Sequence, residues 1–379
     1  MTLFLERLEL ADWRNHERLE AVFASERVIL LGGNAQGKTN LLEAVATLAT
    51  AQPPFARKEA EVVRFGAQDA IVRSVVRRGG HPLRADLCFR TQGRRAAQID
   101  GVPCRRMVDW LGQVTAVLFS RTDLDLIQGA PLGRRQLLDR LARQMAPLFH
   151  DEEARWSRLL VQRNALIRRI QAGTATASQL EAWDEPFALA AAAVARRRAA
   201  LIRKLTPLAA RWLEVLSGGR EQLGIVYKPG VPGLDESVTA EGADFAASVL
   251  EALGRARQQE LARGHATVGP HRDDWSARLD DRDAAGFAST GQRRSIVLAL
   301  KLAERDLLKE AVGEPPLLLL DDVLAELDPM RQEALLEAIG EGGQTFVTST
   351  HLSELHGSWR ARADLREVAP GRLTSQSVT

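Results

Sequence analysis

Eight residues near the start of the chain, Gly32-Gly33-Asn34-Ala35-Gln36-Gly37-Lys38-Thr39, fit the spacing G-x-x-x-x-G-K-S/T. The chemistry served by this spacing is the binding of a triphosphate, which is anionic and strongly hydrated. Backbone N–H groups of a glycine-rich turn, backed by a helix N-terminus, replace that water. Lys38 then reaches the β- and γ-phosphates, and the Thr39 hydroxyl sits on Mg2+. The candidate cofactor-binding set is Gly32, Gly33, Asn34, Ala35, Gln36, Gly37, Lys38, Thr39 and Asn40, with ATP and Mg2+ as the cofactors. Near the other end, Leu317-Leu318-Leu319-Leu320-Asp321-Asp322 reads as a buried strand closed by two carboxylates. Adjacent buried acids repel each other and stay partly protonated without a cation, and a metal removes that conflict. Asp321 and Thr39 are therefore the expected metal ligands. Asp322 is placed to orient or deprotonate an attacking water, and it makes up the candidate catalytic set with Lys38 and His351.

A third element, Ala288-Ser289-Thr290-Gly291-Gln292, precedes a helical pattern shortly before the paired acids. Ser289 is a fair N-cap, and Gly291 lets an anion approach the helix N-terminus closely. Alone, this is what an ordinary capped helix looks like; its place just before the Asp-Asp strand gives it weight. One chain already carries a phosphate cradle at 32–39. A second cradle is best explained by a γ-phosphate held by a partner subunit, which adds Ser289, Gly291 and Gln292 to the binding set and predicts an ATP-dependent homodimer. His351 follows the strand pattern Gln344–Ser349; it is either a γ-phosphate sensor or a structural histidine.

These groups need elements to hold them. Leu3–Leu10 alternates and runs into a turn at Asp12-Trp13-Arg14-Asn15-His16. Glu26–Leu31 is a short apolar strand directly before the glycine-rich turn, and Asn40–Thr50 follows with apolar residues at helical spacing. Strands are expected around Asp69–Arg77, Leu83–Arg90 and Arg95–Ile99, forming an antiparallel patch, and Val114–Phe119 is another strand. After Gly129-Ala130-Pro131 the texture becomes Arg-rich and helical, over Arg134–Arg169, Leu180–Leu216 and Phe245–Ala262. The apolar heptads do not persist, so this is a helical lobe and not a long coiled coil. A strand at Gly224–Tyr227 interrupts it, and strand texture returns at Ala266–Val268 and Asp274–Leu279. Asp328 is the expected cap of the helix after the paired acids. The expected division is residues 1–124 plus 263–379 as a nucleotide-binding domain, with 125–262 as an inserted, mainly helical domain.

Bulk composition narrows the setting. A formal net charge of +2 over 379 residues neither demands nor excludes nucleic acid, so any basic surface must be local. The basic residues are mostly Arg, from genome base composition or from recognition of phosphate by guanidinium forks. Cys88 and Cys104 make neither a metal site nor a disulfide framework, and buried free thiols fit a reducing cytoplasm. No stretch approaches the roughly 18 apolar residues of a membrane span, and the N-terminus has no signal-peptide core. A cytoplasmic protein without membrane association is expected.

The constellation resembles the ATP-binding-cassette (ABC) ATPases, and within them it is similar to the RecF recombination-mediator family. The residues carrying the resemblance are Asp12–His16, Gly33–Ala44, Gly129-Ala130-Pro131 with Arg134-Arg135 and Leu138-Asp139, Val268–Asp274, Ser289–Arg294 and Leu320–Asp328. It runs nearly end to end. It implies an α/β fold: an ABC-ATPase head with a P-loop mixed β core and an antiparallel β patch, related to Rad50 and SMC heads, plus an inserted α-helical lobe. It implies a cytoplasmic, ATP-dependent DNA-binding protein of recombinational gap repair and replication restart, which dimerises with ATP, hydrolyses it slowly and helps RecO and RecR load RecA on single-stranded and gapped DNA. Two departures stand out. Ser120-Arg121-Thr122-Asp123-Leu124 replaces an expected Pro-Glu-Asp-Leu, and the signature begins with Ala288 and carries Thr290 where most cassettes have Gly. Rival readings are a soluble nucleotide-binding subunit of a membrane transporter and an ATP-binding adaptor that touches only protein. Arg134, Arg135, Arg163, Arg168, Arg169 and Arg196–Arg198 are either DNA contacts or a solvated helix face, and Arg14 and Arg57 lie near enough in sequence to touch nucleotide.

Overall fold

A computed structural model describes residues 2–234, 245–324, 327, 329–339, 342–352, 360–369 and 371–375. The expected cap Asp328, with Ala325 and Glu326, lies outside the described residues. The chain divides into two compact units: Met1–Leu124, Arg211–Glu221 and Thr290–Thr379 in the first, Asp125–Ala210 and Gln222–Ser289 in the second.

The first unit holds two six-stranded sheets. One is antiparallel and meanders through β1 (Phe4–Trp13), β2 (His16–Val22), β4 (Asp69–Arg78), β5 (His81–Arg90), β6 (Ala96–Ile99) and β7 (Val102–Pro103), in the order β2-β1-β4-β5-β6-β7. Its strands alternate buried and exposed residues, as a sheet with one solvated face requires. In β1 the buried Leu5 and Leu8 are three apart, which breaks the alternation. A register shift against β4 between Leu5 and Arg7 absorbs the extra residue and returns Leu8 and Leu10 to the inner face.

The other sheet runs β15 (Arg372–Ser375), β14 (Asp364–Ala369), β3 (Arg27–Leu31), β13 (Thr345–Ser349), β12 (Leu317–Leu320) and β8 (Ala116–Phe119). It is parallel except for the β14–β15 hairpin. Every residue of β12 and β13 is buried, which explains why the four leucines show no alternation. Helices α1 (Lys38–Thr50), α8 (Thr290–Val312) and α9 (Pro329–Ile339) belong to this unit. Trp13, Phe89, Trp110, Leu317, Leu319 and Phe346 share one continuous core. The parallel order places the C-terminal ends of β3, β13 and β12 side by side, the edge where open α/β sheets bind ligands.

The second unit carries α2 (Asp125–Gln128), α3 (Pro131–Met145), α4 (Phe149–Gln171), most of α5 (Glu181–Ser217), α6 (Phe245–Arg263) and α7 (Ala284–Phe287). A three-stranded antiparallel sheet, β11 (Arg282–Asp283), β10 (Asp274–Leu279) and β9 (Leu223–Lys228), completes it. The strand expected over Ala266–Val268 is absent; the segment is an irregular turn. Its backbone is held by two side chains, with Ala266 N donating to Asn164 Oδ1 at 2.7 Å and Thr267 N to Glu260 Oε1 at 2.7 Å.

Several arginines expected on the surface of this unit are buried instead. Arg163 is fully buried and donates to Glu260 at 2.6 Å and Asp184 at 3.0 Å. Arg198 forks onto Asp139 at 2.8 and 2.9 Å and reaches Asp273 at 2.8 Å, while Arg134 forks onto Asp274. These three are neither DNA contacts nor a solvated face. Tyr227 and the Gly230 N–H also donate to Asp273, at 2.6 and 2.7 Å, so the Gly269–Asp274 run is a structural staple. Arg168, Arg169, Arg196 and Arg197 are exposed. Cys88 and Cys104 are free thiols, half-buried where full burial was expected. Among the described residues no helix is long and apolar enough to cross a membrane.

Candidate nucleotide-binding site

The glycine-rich turn begins where β3 ends, and α1 starts at Lys38. Gly37 turns the chain into the helix with φ 101°, in the left-handed region that glycine occupies freely. Ala35 also has a positive φ, 62°. The turn is backed by the Asp12–His16 corner between β1 and β2. Trp13 Nε1 donates to Asn40 O at 2.8 Å, and Asn40 Nδ2 donates to Asn15 Oδ1 at 2.8 Å. His16 Nε2 lies 3.2 Å from Gly37 O. Arg14 forks onto Glu43 of α1 with both contacts at 2.7 Å, which commits it to structure. Burial pushes the His16 imidazole below its usual range, against the opposing effect of the Gly37 carbonyl. The neutral ring is therefore the form that braces the turn.

Lys38 Nζ donates to the carbonyls of Gly32 and of Gly33, the latter at 3.0 Å. The fold brings Thr39 to the paired acids: its hydroxyl donates to Asp321 Oδ2 at 2.8 Å and lies 3.0 Å from Oδ1. Thr348, on the neighbouring strand β13, holds the same pair. Its hydroxyl donates to Asp321 Oδ1 at 3.0 Å and accepts from the Asp322 N–H at 2.7 Å. Burial raises the Asp321 carboxyl above the usual range despite the Thr39 and Thr348 hydrogen bonds; Asp322 adds to the rise and Lys38 opposes it. Asp322 has a left-handed backbone, φ 57°, and its Oδ2 accepts from Arg121 at 2.5 Å.

A cleft of about 470 Å³ is lined by Gly33, Asn34, Ala35, Gln36, Gly37, Lys38, Thr39, Asn40, Asp321 and Asp322. Gly32 lies behind it, where a Cβ would come within 2.6 Å of Val368 O. Glycine is needed there for the approach of β14. The Thr39 hydroxyl and the Asp321 carboxylate are hard oxygen donors already converged on one another. That set suits Mg2+, which takes one or two carboxylates and completes its shell with phosphate and water. Among the described residues no group of three or more His, Cys, Asp or Glu forms a closed metal cage.

The remaining sequence-derived residues of the first unit, Gly291, Gln292 and His351, do not line this cleft. Gly291 and Gln292 are half-buried at the start of α8 and do not line the cleft. The Gly291 carbonyl accepts from Arg331 and from Ser295, each at 3.1 Å. Ser289 is exposed at the end of the second unit. His351 is exposed outside the cleft lining, with its backbone N–H donating to Ser349 Oγ at 3.2 Å. Three contributors escaped sequence reasoning: His16, Thr348 and Arg121. Thr348 is one of three hydroxyl residues in Thr345–Ser349, and nothing in the sequence singled it out. His16 and Arg121 find their partners only through tertiary structure.

No family model matches the chain. It is 43% identical over 375 residues to the DNA replication and repair protein RecF of Synechococcus sp. (strain JA-3-3Ab), covering 98% of this chain and 97% of that one. It is 41% identical over 377 residues to RecF of Thermosynechococcus vestitus (strain NIES-2133 / IAM M-273 / BP-1), covering 100% and 98%. Among solved structures it is similar to the recombination mediator protein RecF with ATP, of the RecFOR pathway, at a TM-score of 0.89, 27% identity, and coverage of 99% and 98%. An Smc head domain from Pyrococcus furiosus matches at a TM-score of 0.55 and 15% identity, over 100% of this chain and 97% of that one, a likeness of fold alone. The fold is thus an α/β ABC-ATPase head, with a P-loop mixed β core and an antiparallel β patch, and an inserted helical lobe.

Proposed function

This chain belongs to the RecF family of DNA replication and repair proteins, and on that premise we propose that it is an ATP-switched, DNA-binding protein of recombinational gap repair and replication restart. The observation that carries the reading is the closure of Thr39 onto Asp321 across 282 positions of sequence. It joins a phosphate-binding turn to an acid pair in one cleft. Thr39 and Asp321 hold Mg2+, which neutralises phosphate charge when bound. Lys38 exchanges its loop carbonyls for the β- and γ-phosphates. Asp322 orients the attacking water. Being one methylene shorter than glutamate it holds that water less closely, so hydrolysis is slow and serves as a timer.

Gly291 and Gln292, in the same unit as the cleft, do not line it, so in this reading they complete a partner's, together with Ser289. Two nucleotides then close a two-fold homodimer on single-stranded or gapped DNA. RecO, RecR and RecA are the partners in this role, the cytoplasm its setting, and His351 a reporter of the γ-phosphate from the segment after β13. Lys38→Ala and Ser289→Arg proteins test the shared site, since each alone should lack ATP-dependent dimerisation and turnover. Mixed, they should regain both, because a mixed dimer keeps one intact composite site. Sedimentation and phosphate release that stay at background after mixing would refute the two-chain site.

A further inference from the structure

Strand β8 pairs in parallel with β12, with Phe119 opposite Leu320, and Asp321 N donates to Phe119 O at 2.9 Å. Two residues beyond each of these positions stand Arg121 and Asp322. The register therefore delivers the guanidinium to the carboxylate, at 2.5 Å. The turn that carries Arg121 is firmly anchored. Ser120 donates to Asp123 Oδ2 from its N–H at 2.8 Å and from its hydroxyl at 3.1 Å. Asp123 in turn pairs with Lys301 of α8 at 3.3 Å, and α8 is the helix that begins at Thr290 and Gly291. Asp123 and Lys301 are both buried. The Arg121 side chain, by contrast, is 62% exposed. A fixed backbone thus carries a displaceable cation beside the acid.

We propose, resting on the nucleotide reading above, that Arg121 is a positioning residue that holds the Asp322 carboxylate away from the attacking water and so acts as a brake on hydrolysis. Asp322 Oδ2 accepts from Arg121, and a charge-assisted bond of this kind holds the carboxylate toward its donor and occupies one of its acceptor sites. The brake works in cis, within one chain, and is independent of the composite contacts. It also gives a role to the loop where this sequence departs from Pro-Glu-Asp-Leu, since proline at 121 has no cation to offer.

Steady-state ATPase of Arg121→Ala, Arg121→Gln and Arg121→Lys proteins tests this, with fluorescent-nucleotide affinity measured on the same preparations. Loss of the cation should raise kcat by about two- to five-fold, the range open to an exposed ion pair. KM should stay within roughly twofold, because the pair restrains the acid and not the nucleotide. Arg121→Lys should fall back toward wild type, a rescue by charge that a purely structural loop would not give. Turnover of the Ala and Gln proteins at or below wild type, with nucleotide affinity intact, overturns the brake alone. A wild-type protein without nucleotide affinity overturns the nucleotide reading, and the brake with it.

Discussion

Replacing Gly37 by alanine should cripple nucleotide binding. Two independent penalties follow from the geometry. The backbone at Gly37 has φ 101°, and an L-residue held in left-handed space loses about 1–2 kcal/mol. The added Cβ would lie 2.6 Å from both Cε1 and Nε2 of His16 and 2.9 Å from Asn15 Nδ2. His16 is fully buried and its ring is held at the Gly37 carbonyl, so it has no room to swing, and overpacking of this kind costs about 1–3 kcal/mol. The sum is about 2–5 kcal/mol. If the turn relieves the strain by shifting, Lys38 and Thr39 move with it, and affinity falls by roughly 30-fold to 3,000-fold. Gly66→Ala supplies the control, since φ there is 89° and nothing lies within 4 Å of the new Cβ. It isolates the backbone penalty as a lower melting midpoint with unchanged affinity. His16→Ala combined with Gly37→Ala should recover the part due to collision. Titration with a fluorescent ATP analogue and denaturant melts on all four proteins are sufficient. If Gly37→Ala binds nucleotide within about twofold of wild type and melts normally, the His16 brace is not the constraint described.

Three further outcomes concern the second unit. Arg163→Met should lower unfolding free energy in urea by about 3–5 kcal/mol, because it strands the fully buried Glu260 carboxylate; Glu260→Gln in the same protein should return part of the loss. Substituting the exposed Arg168, Arg169, Arg196 or Arg197 should leave the melt unchanged, and any of them that contacts phosphate should reduce the salt slope of DNA binding by about 0.9. His271, packed on Trp156 with Nε2 at 3.0 Å from Ala266 O, is pushed by burial down to about 4. Its folded value lies below the unfolded value of about 6.5, so the neutral ring is favoured by folding. Its contribution is complete above that unfolded value and is lost as pH falls toward 4, a decline of up to about 3 kcal/mol. Denaturant melts from pH 7 to pH 4.5 should show this decline in wild type and a flatter profile in His271→Phe.

What the sequence disclosed and what it withheld separate by the range of the physics involved. The P-loop was legible because its requirements are local: a strand, glycines that permit left-handed backbone, and a lysine at the first helical turn, all within a dozen residues. The four leucines of β12 were legible as a buried strand because a parallel strand covered on both faces has no polar side to show. The Asp274–Leu279 strand fell where alternation placed it. The Ala266–Val268 segment misled for the converse reason. Three apolar residues fit a strand equally well when they are a turn pinned by Asn164 and Glu260, and those partners come from other elements.

Charge was the least legible property. Arg163, Arg198 and Arg121 have the same side chain and similar Arg-rich or polar neighbourhoods in sequence. Yet one neutralises a buried glutamate, one staples Asp139 to Asp273, and one reaches an acid 201 positions away. No periodicity distinguishes them, because the distinguishing fact is which carboxylate the fold brings opposite each guanidinium. The same holds inside the cleft. Thr39 and Asp321 were each identified from their own neighbours, but the 2.8 Å contact between them depends on β3, β13 and β12 lying adjacent and parallel. Sequence thus named the candidate groups, and sheet order decided which of them share one cleft. Their activity should therefore be more sensitive to changes in Thr348, which ties both acids to β13, than to changes of similar size on the solvated face of the antiparallel sheet.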